Sequence, residues 1–269
     1  MLSSLSTACL YHLPLRTTFH LAAKAGFDGV ELVMSPEVWL RGTDYVADLV
    51  WRYDLTISSL HQTILCASPR GVGAGRIVDA VEMALALDVR CVVAHNPWAE
   101  RWAEPEAQRW LQTIEACQVR LQRSSTRLSL ENQGIYTEDQ RGLLQQVPVL
   151  LSFAERHDLA ITLDTCHVGT ENMIATYELL KGRLANVHLS DLCFSSPMLP
   201  HPFLQALFTR HQMPGEGVLA LDDLMRRLTA DGFAGPISVE VSPLALGMWP
   251  SGKMRERLAK LVSYVRSFD

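Results

Sequence analysis

Several things are missing from this chain. No run of about 18 uncharged apolar residues occurs, which removes a membrane-spanning helix, and the N-terminus lacks the basic segment, apolar core and cleavage site of a secretory signal. No close C-x-x-C pair is present. Cys9, Cys66, Cys91, Cys117, Cys166 and Cys193 are scattered, which suits reduced thiols rather than a disulfide framework, so a cytoplasmic location is expected. No Lys/Arg cluster occurs either: 24 basic residues against 29 acidic ones leave a formal charge of -5, and nucleic acid is not the expected partner. No Gly/Ser-rich or Pro-rich linker divides the 269 residues, which are therefore read as one domain, 1–269. With 48% hydrophobic and 20% charged residues the chain can bury a sizeable core.

What is present is a rhythm. Short β-rich runs at 4–9, 28–33, 56–61, 89–95, 127–131, 159–164, 184–190 and 236–241 alternate with helical stretches at 17–25, 43–52, 74–87, 104–123, 138–155, 171–181, 219–231 and 252–267. Gly26 and Gly232 each end a helix just before a phenylalanine. Eight βα units without a linker predict a closed (β/α)8 barrel, a TIM barrel of the α/β class, because eight parallel strands then leave no edge. An open doubly wound sheet is the competing fold. It calls for a glycine-rich phosphate turn after the first strand, and TACLYHLPLR contains no glycine.

A buried parallel strand is expected to be apolar throughout, yet nearly every strand here ends in a polar or ionisable residue. Glu31 ends the second, His61 the third, His95 the fourth and Glu131 the fifth. Asp164 ends the sixth with His167 three residues on, His188 and Asp191 mark the seventh, and Glu240 the eighth. Closing the barrel brings these ends to one mouth. Carboxylates and imidazoles crowded there would repel or stay unsatisfied without a cation, and such mixtures suit Zn, Mn, Fe or Co. A divalent metal is therefore expected. The other histidines are weaker candidates: His20 and His157 fall in helical stretches and read as solvated or capping, His12 lies in the first loop, and His201 lies in a long loop. His211 precedes MPGEG, whose glycine turn could hold it over the mouth.

These residues resemble the xylose-isomerase-like barrels, which include sugar isomerases and epimerases and the endonuclease IV type of AP endonuclease. The resemblance runs through AGFDGVEL (25–32), LEN (130–132), LDTCH (163–167), HLSD (188–191), PGEG (214–217) and VEV (239–241). For the epimerase-type members it implies one metal held by Glu131, Asp164, His188 and Glu240, with Glu131 and Glu240 also exchanging protons with substrate and His167 contacting substrate oxygens. For the endonuclease type it implies up to three zinc ions, with His61, His95, His167 and His211 as further metal or substrate ligands. That type also has an aspartate where this chain has Thr209, which leaves a full third metal site in doubt.

Isomerisation beside a carbonyl needs a base, an acid and positive charge over the enediolate, and two glutamates across a metal supply all three. The expected function is thus a divalent-metal-dependent isomerase or epimerase acting on a small sugar-like substrate. The alternatives are a zinc-dependent phosphodiester hydrolase and a non-catalytic metal- or sugar-binding barrel. LCFSSPMLPHPFLQALFTR (192–210), with Phe194, Pro197, Met198, Leu199, Phe203 and Phe208, reads as a lid or short helix, or else as a packing or dimer surface that would make the protein a homo-oligomer. Trp98 is the expected aromatic wall of a sugar site, with Met248 and Trp249 opposite, while Trp110 reads as structural. Arg70 is a candidate for a substrate phosphate or carboxylate, and Glu31 for a substrate hydroxyl or a nearby cation.

Overall fold

The computed structural model describes all residues except 65–66, 69–70, 73–74, 134–141, 170–171 and 195–201; Arg70, Cys66, His201 and part of the expected lid lie outside the described residues. Eight parallel strands close into a barrel: β1 (Leu2–Ser6), β2 (Gly29–Val33), β3 (Thr56–His61), β4 (Cys91–Ala94), β5 (Arg127–Glu131), β6 (Ala160–Asp164), β7 (Leu184–Leu189) and β8 (Pro236–Val239). Each pairs with its sequence neighbours, and β1 closes the ring on β8 with Leu5 opposite Val239. The described helices around them include α1 (Leu15–Ala25), α2 (Pro36–Tyr53), α3 (Gly75–Leu87), α4 (Pro105–Leu121), α5 (Val147–Arg156), α6 (Met173–Leu180), α7 (Leu221–Ala230) and α8 (Gly252–Arg266). None of the described helices is long and apolar enough to cross a membrane.

The return from helix to strand reuses one device. Gly26 and Gly232 take left-handed φ values of 91° and 67°, and Asp54, Asp88 and Asp158 do the same at 52°, 54° and 50°. Each is followed by a large hydrophobe, and four of these, Phe27, Leu55, Val89 and Leu159, are buried. The left-handed residue reverses the chain and the hydrophobe pins it to the core.

Some boundaries differ from those expected. The first strand stops at Ser6, whose hydroxyl caps a 3-10 turn over Thr7–Leu10. Helix α2 starts at Pro36 behind the Ser35 cap, with a kink at Gly42 (φ 73°) where the 43–52 stretch begins. Helix α5 begins at Val147, with Pro148 in its first turn and Leu144, buried, in the loop before it; residues 138–141 of the expected helix lie outside the described residues. A short helix forms at Pro202–Thr209, within the segment expected as a lid or short helix. Thr209 caps back onto the Gln205 carbonyl oxygen at 2.9 Å.

The strands are not apolar throughout, contrary to the sequence expectation. Ser59, Ser129, Thr162, Asn186 and Ser238 are fully buried. Ser129 pairs with Thr162 at 2.7 Å, Ser238 donates to Asn186 at 3.1 Å, and Asn186 reaches Glu31 at 3.0 Å. Strands β2 and β7 are not neighbours, so the last contact crosses the lumen, which is therefore filled by a polar layer.

Candidate metal centre

Five strand ends share a pattern: Ser59-Leu-His61, Ser129-Leu-Glu131, Thr162-Leu-Asp164, Asn186-Val-His188 and Ser238-Val-Glu240. Period-two alternation puts the aliphatic residue outward under the helices and stacks each ionisable group directly above a small polar one. The lower layer satisfies itself and supports the upper.

Glu131 lies at the centre of the upper layer. Its Oε2 faces His61 Nε2 at 3.3 Å and His95 Nε2 at 3.2 Å, while its Oε1 faces His167 Nδ1 at 3.3 Å and His188 Nδ1 at 3.5 Å. His188 Nδ1 also faces Glu240 Oε2 at 2.9 Å, and His167 Nδ1 lies 3.5 Å from Asp164 Oδ2. Three sets of candidate ligand atoms lie within 4.8 Å of one another: His61, Glu131, His188; Asp164, His167, His211; and Glu31, His188, Glu240. Glu131 and Glu240 therefore meet at His188, Asp164 falls in a different set and joins them through His167, and His61, His95 and His211 lie around this group.

The hydrogen bonds orient the rings. His188 Nε2 donates to Glu31 Oε2 at 3.0 Å, which turns Nδ1 toward Glu131 and Glu240. His61 Nδ1 donates to the Gln62 carbonyl oxygen, which turns Nε2 toward Glu131. His211 Nδ1 donates to the Glu240 carbonyl oxygen at 3.2 Å. In His61 and His188 one nitrogen is spent on an outer acceptor, so the other can meet carboxylate oxygens only through an added proton or a cation. Burial would push His188 down, but Glu31, Glu240 and Glu131 hold it well above the usual imidazole range; His167 is likewise raised to about 9, mainly by Asp164 and Glu131 against its burial. Burial would push Glu131 and Glu240 up, yet the His188 charge carries Glu131 well below the carboxylate range and Glu240 to about 2. Asp164 goes the other way, raised by burial.

The donor set fits a divalent metal. Asp164 Oδ2, His188 Nδ1, Glu240 Oε2 and Glu31 Oε1 are buried without a well-formed hydrogen bond, and the first three face the same cluster. The short His188–Glu240 approach is an ion-pair distance that lacks hydrogen-bond geometry, as ligands of one shared ion would show.

Other expected residues fall elsewhere. Glu31 lies fully buried behind His188, where its Oε2 accepts from Ser59 at 2.7 Å and from Asn186; it faces a ligand rather than the open mouth. Asp191 turns away from the centre and accepts from the backbone N–H groups of Leu192, Gly215, Gly217 and Leu219 at 2.8 to 3.1 Å. A Cβ on Gly217 would sit 2.3 Å from Asp191 Oδ1, so the PGEG turn needs that glycine. Trp98 is 61% exposed beside His95, and Trp110 is buried with its indole N–H on the His95 carbonyl oxygen. His12 bonds the Met248 carbonyl oxygen and joins the first and last loops. Asn132 escaped the sequence reading: it bonds the Asp164 backbone in both directions and its carbonyl oxygen receives His167 Nδ1. Its place directly after Glu131 was the available signal.

The model of the xylose isomerase-like TIM barrel matches residues 19–262. The chain belongs to that family. Family relatives include the uncharacterized protein Rv0498 of Mycobacterium tuberculosis, 28% identical over 262 residues and covering 88% of each chain. The fold is shared with the IolI protein solved with a zinc atom (TM-score 0.75, 18% identity, 100% of this chain and 99% of that one). It is also shared with a D-tagatose 3-epimerase-like protein (TM-score 0.72, 22% identity, 99% of both) and with an AP endonuclease of family 2 from Brucella melitensis (TM-score 0.71, 20% identity, 98% and 99%).

Proposed function

We propose that this family member is a divalent-metal-dependent isomerase or epimerase of a sugar or sugar-derived keto compound, with Glu131 and Glu240 as its acid/base pair. The reading rests on one observation: two carboxylates approach His188 Nδ1, at 3.5 and 2.9 Å, where His188 Nδ1 and Glu240 Oε2 are buried without a hydrogen bond. Glu131, Asp164, His188 and Glu240 would hold the ion, which supplies positive charge over a substrate carbonyl and hydroxyl. The zinc-bound IolI protein and the epimerase-like protein that share the fold fit this reading.

In the reaction one glutamate takes the proton from the carbon beside the carbonyl, and the other returns a proton to the opposite face or the neighbouring carbon, so protons balance. Glu240, the more exposed of the two at 19% against 4%, is the better placed to reach substrate. His167 steadies a substrate hydroxyl, and Trp98 offers its exposed ring as a wall. The test is solvent deuterium incorporation into candidate ketoses and aldoses by metal-loaded protein, with Glu240→Gln as control. Incorporation that the variant loses supports the reading; incorporation that the variant retains overturns the assignment of Glu240.

One observation favours the hydrolytic reading: His61 and His95 both turn Nε2 to Glu131 Oε2, and these residues would help to hold a second ion that activates water. One metal per chain by elemental analysis supports the isomerase. Two or three zinc ions together with cleavage of a phosphodiester would transfer the assignment to hydrolysis.

A further inference from the structure

Beside the ionisable cluster lies a cavity of about 320 Å3, lined by the segments that follow β1, β2 and β3. That volume falls within the range of small-molecule sites, about 300–1,000 Å3. Its position ties it to the candidate centre through strand register. Val33, on its wall, is paired with His61 of the centre, and Thr63, also on its wall, lies two residues beyond His61. Thr7 follows Ser6 at the end of β1, the strand that closes the barrel beside the strand leading to Glu240.

The lining has a distinct chemistry. Leu10, Leu13, Val33, Met34 and Ile64 supply most of the wall, and no lysine, arginine or histidine is among the described lining residues. The one charge among its described lining residues, Glu37, is already engaged: Oε2 accepts the Leu15 backbone N–H at 2.8 Å at the start of α1, and Oε1 accepts from Tyr45 at 3.2 Å and faces Arg41, outside the lining, at 3.6 Å. The Thr7 hydroxyl oxygen likewise accepts the Val33 N–H at 2.8 Å. A phosphate or carboxylate placed here would meet a largely apolar wall and a carboxylate, and none of the described lining residues offers a cation to offset its desolvation.

We propose that this cavity receives the end of the substrate remote from the reacting carbons and selects an uncharged, apolar tail over a phosphorylated one. The inference rests on the proposed isomerase reading only for what anchors the other end. Calorimetric titration of zinc-loaded and zinc-free protein with vicinal diols from butanediol to heptanediol, and with glycerol phosphate, tests it. Affinity should rise about fourfold per added methylene, the gain expected for burying each one, and glycerol phosphate should bind more weakly than butanediol. The rise should flatten in Leu13→Ser, and in the edge variant Ile64→Lys, at a residue 48% exposed, glycerol phosphate should gain on the diols. A flat series in the unmodified protein, or tighter binding of glycerol phosphate, overturns the proposal. A rise equally steep without zinc keeps the cavity assignment and sinks the metal-anchored reading of the site.

Discussion

The barrel mouth has two unlike halves. Over β5 to β8, with His61 and His95 reaching in from β3 and β4, buried carboxylates and imidazoles interlock within 2.9 to 3.5 Å. Along the segments that follow β1, β2 and β3 the described cavity wall is mainly aliphatic, and its carboxylate, Glu37, accepts the N–H that starts α1. The contrast separates two kinds of work. Charges buried together are costly unless paired, so the first half is a candidate for a cation, as proposed above; the second half provides apolar area, whose burial favours binding without directional demands.

The contrast can be broken most severely at Glu240. Replacing it with Gln should lower turnover about a thousandfold, in the range for loss of an acid/base group, while the melting temperature stays close to that of the parent; deuterium exchange and calorimetry report the two separately. Next in size is Asp191→Ala, which strips the acceptor from four backbone N–H groups under the PGEG turn. It should cost about 3 kcal/mol of unfolding free energy, measured by urea titration, and should loosen the His211 side of the charged half. Glu31→Gln should weaken zinc binding about tenfold or more with little change in fold, because the His188 ring loses its charged support; competitive chelator titration reads this, and unchanged affinity would count against an orienting role. At the small end, His20→Ala should change stability by no more than about 0.5 kcal/mol and leave metal content unaltered, since His20 is exposed and meets only the edge of Tyr53.

Much of this was legible in the chain. Strand ends from β2 onward fall within a few residues of the expected ones, and the residues expected at the mouth, His61, His95, Glu131, Asp164, His167, His188, His211 and Glu240, gather into one cluster. Asp191 and Glu31 were legible as polar residues in the right region but not in their roles. A position at a strand end does not say which way a carboxylate turns: Asp191 reaches a glycine turn 24 residues further along the chain, and Glu31 crosses the lumen to a strand it does not pair with. The expected helix 138–155 included 142–146, which form a loop because Pro148 fits best in a first turn.

The sequence by itself determined the repeat of eight strands and helices, because hydrophobic periodicity and left-handed turn residues act over short stretches of chain. It also determined that ionisable groups would meet at one end, since closing the repeat leaves them nowhere else to go. Only the tertiary structure decided which nitrogen of His61 and His188 faces the carboxylates, which carboxylate stands behind a ligand, and that half of the mouth is apolar. Those outcomes depend on contacts between strands far apart in the chain, and local sequence does not encode the direction in which a buried hydrogen bond is made.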